Sequence, residues 1–193
     1  MQTSGQAKIL NSAFKLFAAR GFDSVSIREI AADAGLSNPA LYRHYPTKEA
    51  LGLELYKKSY DAVLEHIGRK VSPELSGMEK LDAYMEACVD LHRVKPSPLI
   101  YLDELQNTFW PQVKDAYGER TLSAFIARCI HEGQHEGEIR TDLDPAMLAT
   151  VPVGILSQWA VAARHGLAPW TGAADTLKKL NRDALKPQER VVP

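Results

Sequence analysis

Residues 26–45 read SIREIAADAGLSNPALYRHY, and the two helices written there decide the fold. Ser26-Ile27-Arg28-Glu29 is a capping box: the Ser side chain accepts from the first turn, and the Glu three residues on reaches back to the Ser26 N–H. Ile27, Ile30, Ala31 and Ala34 follow at helical spacing and predict a short helix with one apolar stripe. Gly35 ends it, because such a stop favours a left-handed residue. Leu36 fills the angle that follows. Ser37 caps a second short helix and Pro39 sits in its first turn, where a missing N–H is tolerated. Two helices of about eight residues joined through a glycine turn form a helix-turn-helix, whose second helix is of a size to enter a DNA major groove.

The pattern stays helical outward from this point. Ile9, Leu10, Ala13, Phe14 and Phe17 make one face of a first helix that stops at Gly21. Pro46 closes the third helix, and Thr47 caps a fourth reaching about residue 68. Pro73 and Gly77 mark a break. The next helix, 77–94, carries Leu81, Tyr84, Met85, Cys88 and Leu91 on one stripe, and Pro96 and Pro98 end it. Ser97-Pro98 opens a short helix to about 108, and another runs from about 111 to 136. Asp144-Pro145 opens an uncharged helix, with Leu143 and Leu148 placed for a hydrophobic staple and Pro152 and Gly154 expected to kink it. A last helix covers 172–185, and 186–193 reads as a flexible tail. No stretch alternates as a strand does. The chain is therefore expected to be all-α, with about nine helices: a helix-turn-helix domain at 1–46 and a larger helical domain at 47–185, in which 47–68 is the connecting helix.

Composition agrees with two tasks in one chain. The 193 residues are 45% hydrophobic and 24% charged, ordinary for a globular protein, with a net charge of −1. Residues 1–60 carry +3 and the remainder −4, so a mildly basic N-terminal part sits on an acidic body. The two cysteines, Cys88 and Cys129, are too few and too far apart for a disulfide framework, and MQTSGQAK at the N-terminus has no apolar signal core; a cytoplasmic protein acting at the nucleoid is expected. Residues 145–163 hold no charge, but Thr150, Pro152, Gly154, Ser157 and Gln158 dilute the run. A helix buried on all sides, at a subunit interface or in a core, is preferred to a membrane span.

The N-terminal residues also carry a specific resemblance. ILNSAFKLFAARGFDSVSIREIAADAGLSNPALYRHYPTKEALGLELY, residues 9–56, resembles the DNA-binding domain of the tetracycline-repressor (TetR) family of bacterial transcription regulators. The matching features are A-x-x-L-F at 13–17, Gly21 with Phe22 after it, the Ser26 cap, Ile30-Ala31, AGLS at 34–37, LYRHY at 41–45 and TKEAL at 47–51. Beyond residue 56 the likeness is one of layout, apart from HEGQHEGEIRTDLDP at 131–145, which is similar to a recurring junction in the family where a long helix runs out through two glycines into an Asp-Pro restart.

The resemblance implies a dimeric regulator, most often a repressor, that binds a palindromic operator and is released by a small-molecule effector, with no cofactor and no membrane. It places Ser37, Asn38, Pro39 and Ala40 near base edges. Chemically, Asn38 suits a bidentate pair with adenine, Pro39 and Ala40 suit a thymine methyl, and Arg28 suits guanine. Most family members carry a small residue at position 39, so the operator sequence does not follow from the family average. Ser26, Tyr42, Arg43, His44 and Lys48 suit phosphates, Lys48 with the help of its helix N-terminus. Packing against Phe14 and Phe17 is the competing reading for Tyr42 and Tyr45; it is preferred for Tyr45 and not for Tyr42. An idle surface charge is the competing reading for Arg43.

For the larger domain the resemblance implies an effector pocket and a four-helix bundle across the dimer axis. Candidate lining residues are Tyr84, Cys88 and His92 at four-residue steps, with Tyr101, Phe109, Trp110, Phe125, Cys129 and Trp159. A mostly apolar lining of this kind suits a hydrophobic or aromatic ligand, although ordinary core packing explains each residue equally well. Val151, Ile155, Trp159, Leu177 and Leu180 are expected at the dimer interface, with Leu185 beside them. Cys88 and His92 also have the spacing of metal ligands, but two ligands do not close a site.

Two rival readings remain. A DNA-binding architectural protein without an effector leaves the long aromatic-rich remainder unexplained. A zinc hydrolase is suggested by His131-Glu132-Gly133-Gln134-His135, a match to H-E-x-x-H. The extended pattern then requires a Gly and a His, where this chain has Glu138 and Thr141, and the next Glu after Glu138 is Glu189. Leu122, Phe125, Ile126, Cys129, Ile130 and Gly133 form the buried stripe of that helix, which turns His131 and His135 to solvent. The regulator is the preferred reading.

Overall fold

The computed structural model describes residues 4–94 and 97–188. The start of the chain, the expected helix stop at Pro96 and most of the expected tail, with Glu189, lie outside them. Among the described residues there is no strand. Ten α-helices follow in order: α1 (Ser4–Arg20), α2 (Ile27–Asp33), α3 (Asn38–His44), α4 (Lys48–Lys70), α5 (Gly77–Val94), α6 (Ser97–Tyr117), α7 (Leu122–His135), α8 (Pro145–Leu148), α9 (Thr150–Arg164) and α10 (Ala173–Leu185), with a 3₁₀ turn at Gly118–Arg120.

The chain divides into two compact units. The first comprises Met1–Ala62 with Pro96–Val113, so the expected boundary after residue 46 falls inside it. Ile9, Ala13 and Phe17 from α1, Ile30 and Ala31 from α2, and Leu41 from α3 form its small helical core. Aromatic rings bind the first part of α4 and much of α6 to that core. Phe17 packs on Phe22 at 4.9 Å and stacks on Tyr101 at 6.1 Å, while Phe22 meets Phe109 edge to face at 5.5 Å. Gly52 makes this possible: a Cβ there would lie 2.6 Å from Phe22 Cε2 and 2.8 Å from Phe109 Cζ. The Gly52 carbonyl accepts the buried Tyr101 hydroxyl at 3.1 Å.

The second unit comprises Val63–Lys95 with Lys114–Pro193. Its middle is α5, in which Leu81, Met85, Ala87 and Cys88 are almost wholly enclosed. α7, α9 and α10 pack around it. Gly77 at the start of α5 runs against the α7 backbone, where a Cβ would collide with Gly133 N and the Cys129 carbonyl. Ion pairs fix the outer edges: Lys80 with Glu132 at 2.6 Å, and Arg182 with Asp82 at 2.6 Å.

Four local expectations are corrected. The break expected near residue 110 lies between Tyr117 and Leu122, and α6 runs through Pro111. Phe109 and Val113, one turn apart and each 1% exposed, hold the same face on either side of the proline, and this packing overrides the lost hydrogen bond. α7 begins only after Gly118 (φ 51), where the Thr121 Oγ1 accepts from Ala124 N at 3.0 Å. The uncharged helix, expected to kink at Pro152 and Gly154, is interrupted before either residue. It is broken earlier, at Ala149, which puts Pro152 in the first turn of α9 where it is tolerated.

The expected staple is incomplete, because Leu148 is buried and Leu143 is 46% exposed. Nor is that segment enclosed. Pro145–Arg164 is long and apolar enough to cross a membrane by length and composition, and 28% of it is buried within the chain. Pro152, Leu156, Ala160 and Ala163 face inward at near-helical steps, leaving the other faces open.

Candidate functional site

The helix-turn-helix is built as its residues dictate. Ser26 caps α2, accepting from Glu29 N at 3.3 Å, and Glu29 Oε2 accepts from the Ser26 N–H at 2.8 Å. Arg20 pairs with the same carboxylate at 2.7 Å. The Ser26 backbone and side chain, then Arg20, hold the Glu29 carboxyl at about 2, well below its ordinary value. At the other end Gly35 takes φ 67. Leu36 N donates to Ala31 O at 2.9 Å and Gly35 N to Ala32 O at 3.1 Å, the paired bonds of a Schellman stop. The chain then extends through Ser37, whose side chain accepts from Ala40 N, and α3 begins.

On α3, Leu41 is 0% exposed and the C-cap Tyr45 3%, and Gln6 donates to the Tyr45 hydroxyl at 3.2 Å. Burial pushes the Tyr45 phenol up to about 12. The core reading of Tyr45 therefore holds, with Gln6 as its polar partner. The outward face carries the remaining residues. Pro39, Tyr42, Arg43 and His44 are exposed, Tyr42 at 50%, and Asn38 and Ala40 are partly so. Arg28 on α2 is exposed as well.

Lys48 differs from the others. Its Nζ lies over the Phe22 ring at 4.6 Å and donates to Phe22 O at 3.2 Å and Asp23 O at 3.3 Å. It ties the start of α4 to the loop before α2, and two of its three N–H groups are committed to that tie. Nothing in the local sequence signals this, because the bonds span about 25 residues.

The model for bacterial regulatory proteins of the tetR family matches residues 9–55, the segment that builds these helices. Over that segment the chain matches the tetR family. It is a DNA-binding transcriptional regulator, similar to the transcriptional regulator UidR of Escherichia coli K12 at 27% identity over 154 residues, 76% of each chain. It is also 27% identical over 145 residues to the transcriptional repressor KstR2 of Mycobacterium tuberculosis H37Rv, covering 73% of this chain and 72% of that one. Among solved structures, a tetR-family regulatory protein from Rhodococcus RHA1 aligns with a TM-score of 0.80 at 22% identity, over 97% of this chain and all of the other. AibR, solved in complex with isovaleryl coenzyme A and operator DNA, aligns with a TM-score of 0.75 at 21% identity, over 96% of this chain and all of AibR.

The residues read as sensor lining divide between the two units. Tyr101, Phe109 and Trp110 belong to the first unit, where Tyr101 and Phe109 build the aromatic core and Trp110 packs on Tyr60 at 5.1 Å. The other six lie in the second unit. Tyr84 meets Phe125 at 6.3 Å and His92 meets Trp159 at 5.9 Å. Cys88 and Cys129 are each 1% exposed, and burial pushes the Cys129 thiol up to about 12.

The residues read as dimer contacts divide likewise. Leu177 is 3% exposed and Leu185 0%, both facing into their own unit, whereas Leu180 is 51% exposed. Val151, Ile155 and Trp159 are half-buried.

The HEGQHEGE stretch is occupied with the helix junction. His131 and His135 are exposed, and Glu132 is paired with Lys80. Glu136 accepts from Gly77 N at 2.8 Å and Glu138 from Ser76 Oγ at 2.6 Å, so both serve the start of α5. Gly137 (φ 77) closes α7.

Proposed function

We propose that this regulator represses its target genes by binding a two-fold symmetric operator as a homodimer, and that a small molecule held in the second unit releases it. The observation that carries the reading is the outward face of α3. Ser37, Asn38, Pro39 and Ala40 lie at its N-terminal end, where a recognition helix meets base edges, and Arg28 on α2 is exposed to reach a guanine. Tyr42, Arg43 and His44 supply donors for phosphates and Lys48 has one N–H left for the same purpose, whereas Ser26 spends both its O–H and its N–H on Glu29 and would have to release one to join them. Residues 1–46 are the reading segment.

The dimer is supported by apolar surface. Leu143, Met147 and Val153 are exposed on and beside α8 and α9, and Leu180 on α10. Together with the half-buried Val151 and Ile155 they would pair helix to helix across a two-fold axis. Two recognition helices ~34–36 Å apart then meet one face of the duplex. α4 contributes to both units, Lys48 to Ala62 in the first and the remainder in the second. It is the continuous element through which an effector would shift the two recognition helices, by a coupling of ~1–3 kcal/mol. Regulation of this kind belongs in the cytoplasm. The ligand complex of AibR and the repressor designation of KstR2 support the mode.

The test is transcription from the promoter next to the protein's own gene. Deleting the gene should raise transcription from that promoter, and restoring the wild-type chain should lower it. Transcription that falls on deletion makes the protein an activator.

A further inference from the structure

His92 lies near the end of α5 and is 4% exposed, yet its Nδ1 has no hydrogen-bond partner within the protein. Arg164, the last residue of α9, likewise has a buried Nη1 with no partner. Buried polar atoms are nearly always paired, and a guanidinium N–H without an acceptor is expensive to enclose.

The surroundings are aromatic. The His92 ring lies 5.9 Å from Trp159 and 6.3 Å from Trp170, and the two indoles meet edge to face at 5.0 Å. Trp159 is held in place by donating from Nε1 to Pro169 O at 3.3 Å, and Trp170 is 37% exposed, so the aromatic wall reaches solvent. Burial, and then the charge of Arg164, hold His92 at about 4, so its imidazole is neutral at pH 7.

Arg164 can only donate, and what it lacks is an anionic acceptor. We propose that the second unit binds an aromatic carboxylate, its ring against Trp159 and Trp170 and its two oxygens taken by Arg164 Nη1 and His92 Nδ1–H. One cation and two donors match one carboxylate. A phosphate dianion brings more charge and more acceptors than this pair answers. The inference rests on the second unit being the effector-binding half, and deepens that reading by naming the ligand class.

The test uses the full chain without DNA. Calorimetric titration with benzoate, phenylacetate and indole-3-acetate is compared with titration by the three corresponding neutral amides and by phenyl phosphate. At least one acid is expected to bind saturably, about tenfold or more tighter than its amide. Arg164→Gln should abolish that preference and Arg164→Lys should keep part of it, with thermal melting confirming that both variants fold. In the wild-type chain, saturating acid should raise the His92 pKa, followed by imidazole NMR, and the amide should not.

Acids and amides binding alike, tighter binding of phenyl phosphate, or no saturable binding by any acid each overturns the assignment. A chain that binds operator DNA but no acid refutes this inference alone. One that binds an acid but does not discriminate among DNA sequences refutes the regulator reading instead.

Discussion

Leu41 and Tyr45 sit one turn apart and point inward, which leaves Pro39 and Arg43 on the opposite side of α3, Tyr42 on its flank and Asn38 partly exposed in its first turn. That partition makes residue-level claims testable. Replacing Arg28 or Asn38 by Ala should each relax operator preference by about 1–3 kcal/mol at one base position, read as relative affinities for operator and single-base variants. An unchanged preference removes those residues from base readout. Glu29 makes a second claim. Its folded-state carboxyl, near 2, is lowered from 4.5, so folding favours the ionised form. The contribution is complete above about pH 4.5 and is lost as the pH falls toward 2. The difference in melting temperature between wild type and Glu29→Gln should therefore shrink across that window; a difference independent of pH contradicts the assignment. Ser26, Glu29, Gly35 and Ser37 were legible in the sequence because caps and turns are chosen by residues within four positions of one another. Lys48 was not, because the carbonyls of Phe22 and Asp23 reach it only through the fold.

Helix existence followed from periodicity throughout, and helix ends followed wherever a cap marked them. The exceptions are places where packing overrules local chemistry. A break is expected between about 108 and 111, but the buried Phe109 and Val113 carry α6 past Pro111. Leu177 and Leu180 read as one apolar set, but their phases differ and α10 turns Leu177 inward. Distribution between the two units was also hidden, since nothing near Tyr101 or Phe109 says that α6 packs on α1 and α4 within the first unit. At the element scale Gly77 carries the sharpest expectation. Gly77→Ala should destabilise the protein by about 1–3 kcal/mol, because its Cβ meets the α7 backbone, which cannot step aside as a side chain does. Gly68 is the control: it lies within α4 with nothing within 4 Å of an added Cβ, and Gly68→Ala should stabilise by about 0.5–1 kcal/mol. Denaturant unfolding measures both. Equal effects would mean that the α5–α7 approach is not tight.

At the scale of the molecule, the open faces of α8 and α9 and the exposed Leu180 are the surface on which the proposed dimer rests. Val153→Glu combined with Leu180→Glu should convert dimer to monomer by light scattering while leaving the helical spectrum intact. A dimer that persists places the interface elsewhere. Loss of the dimer should also lower operator affinity, since one recognition helix makes too few contacts to hold a site alone. The central claim is that the α2–turn–α3 segment reads DNA sequence. Its most direct test is equilibrium binding of the purified chain, by fluorescence anisotropy at physiological salt, to the inverted repeat upstream of its gene and to a shuffled duplex of the same composition. The account predicts nanomolar affinity for the repeat, tighter than for the shuffled duplex by about 10³-fold or more. Equal affinity for the two would contradict it.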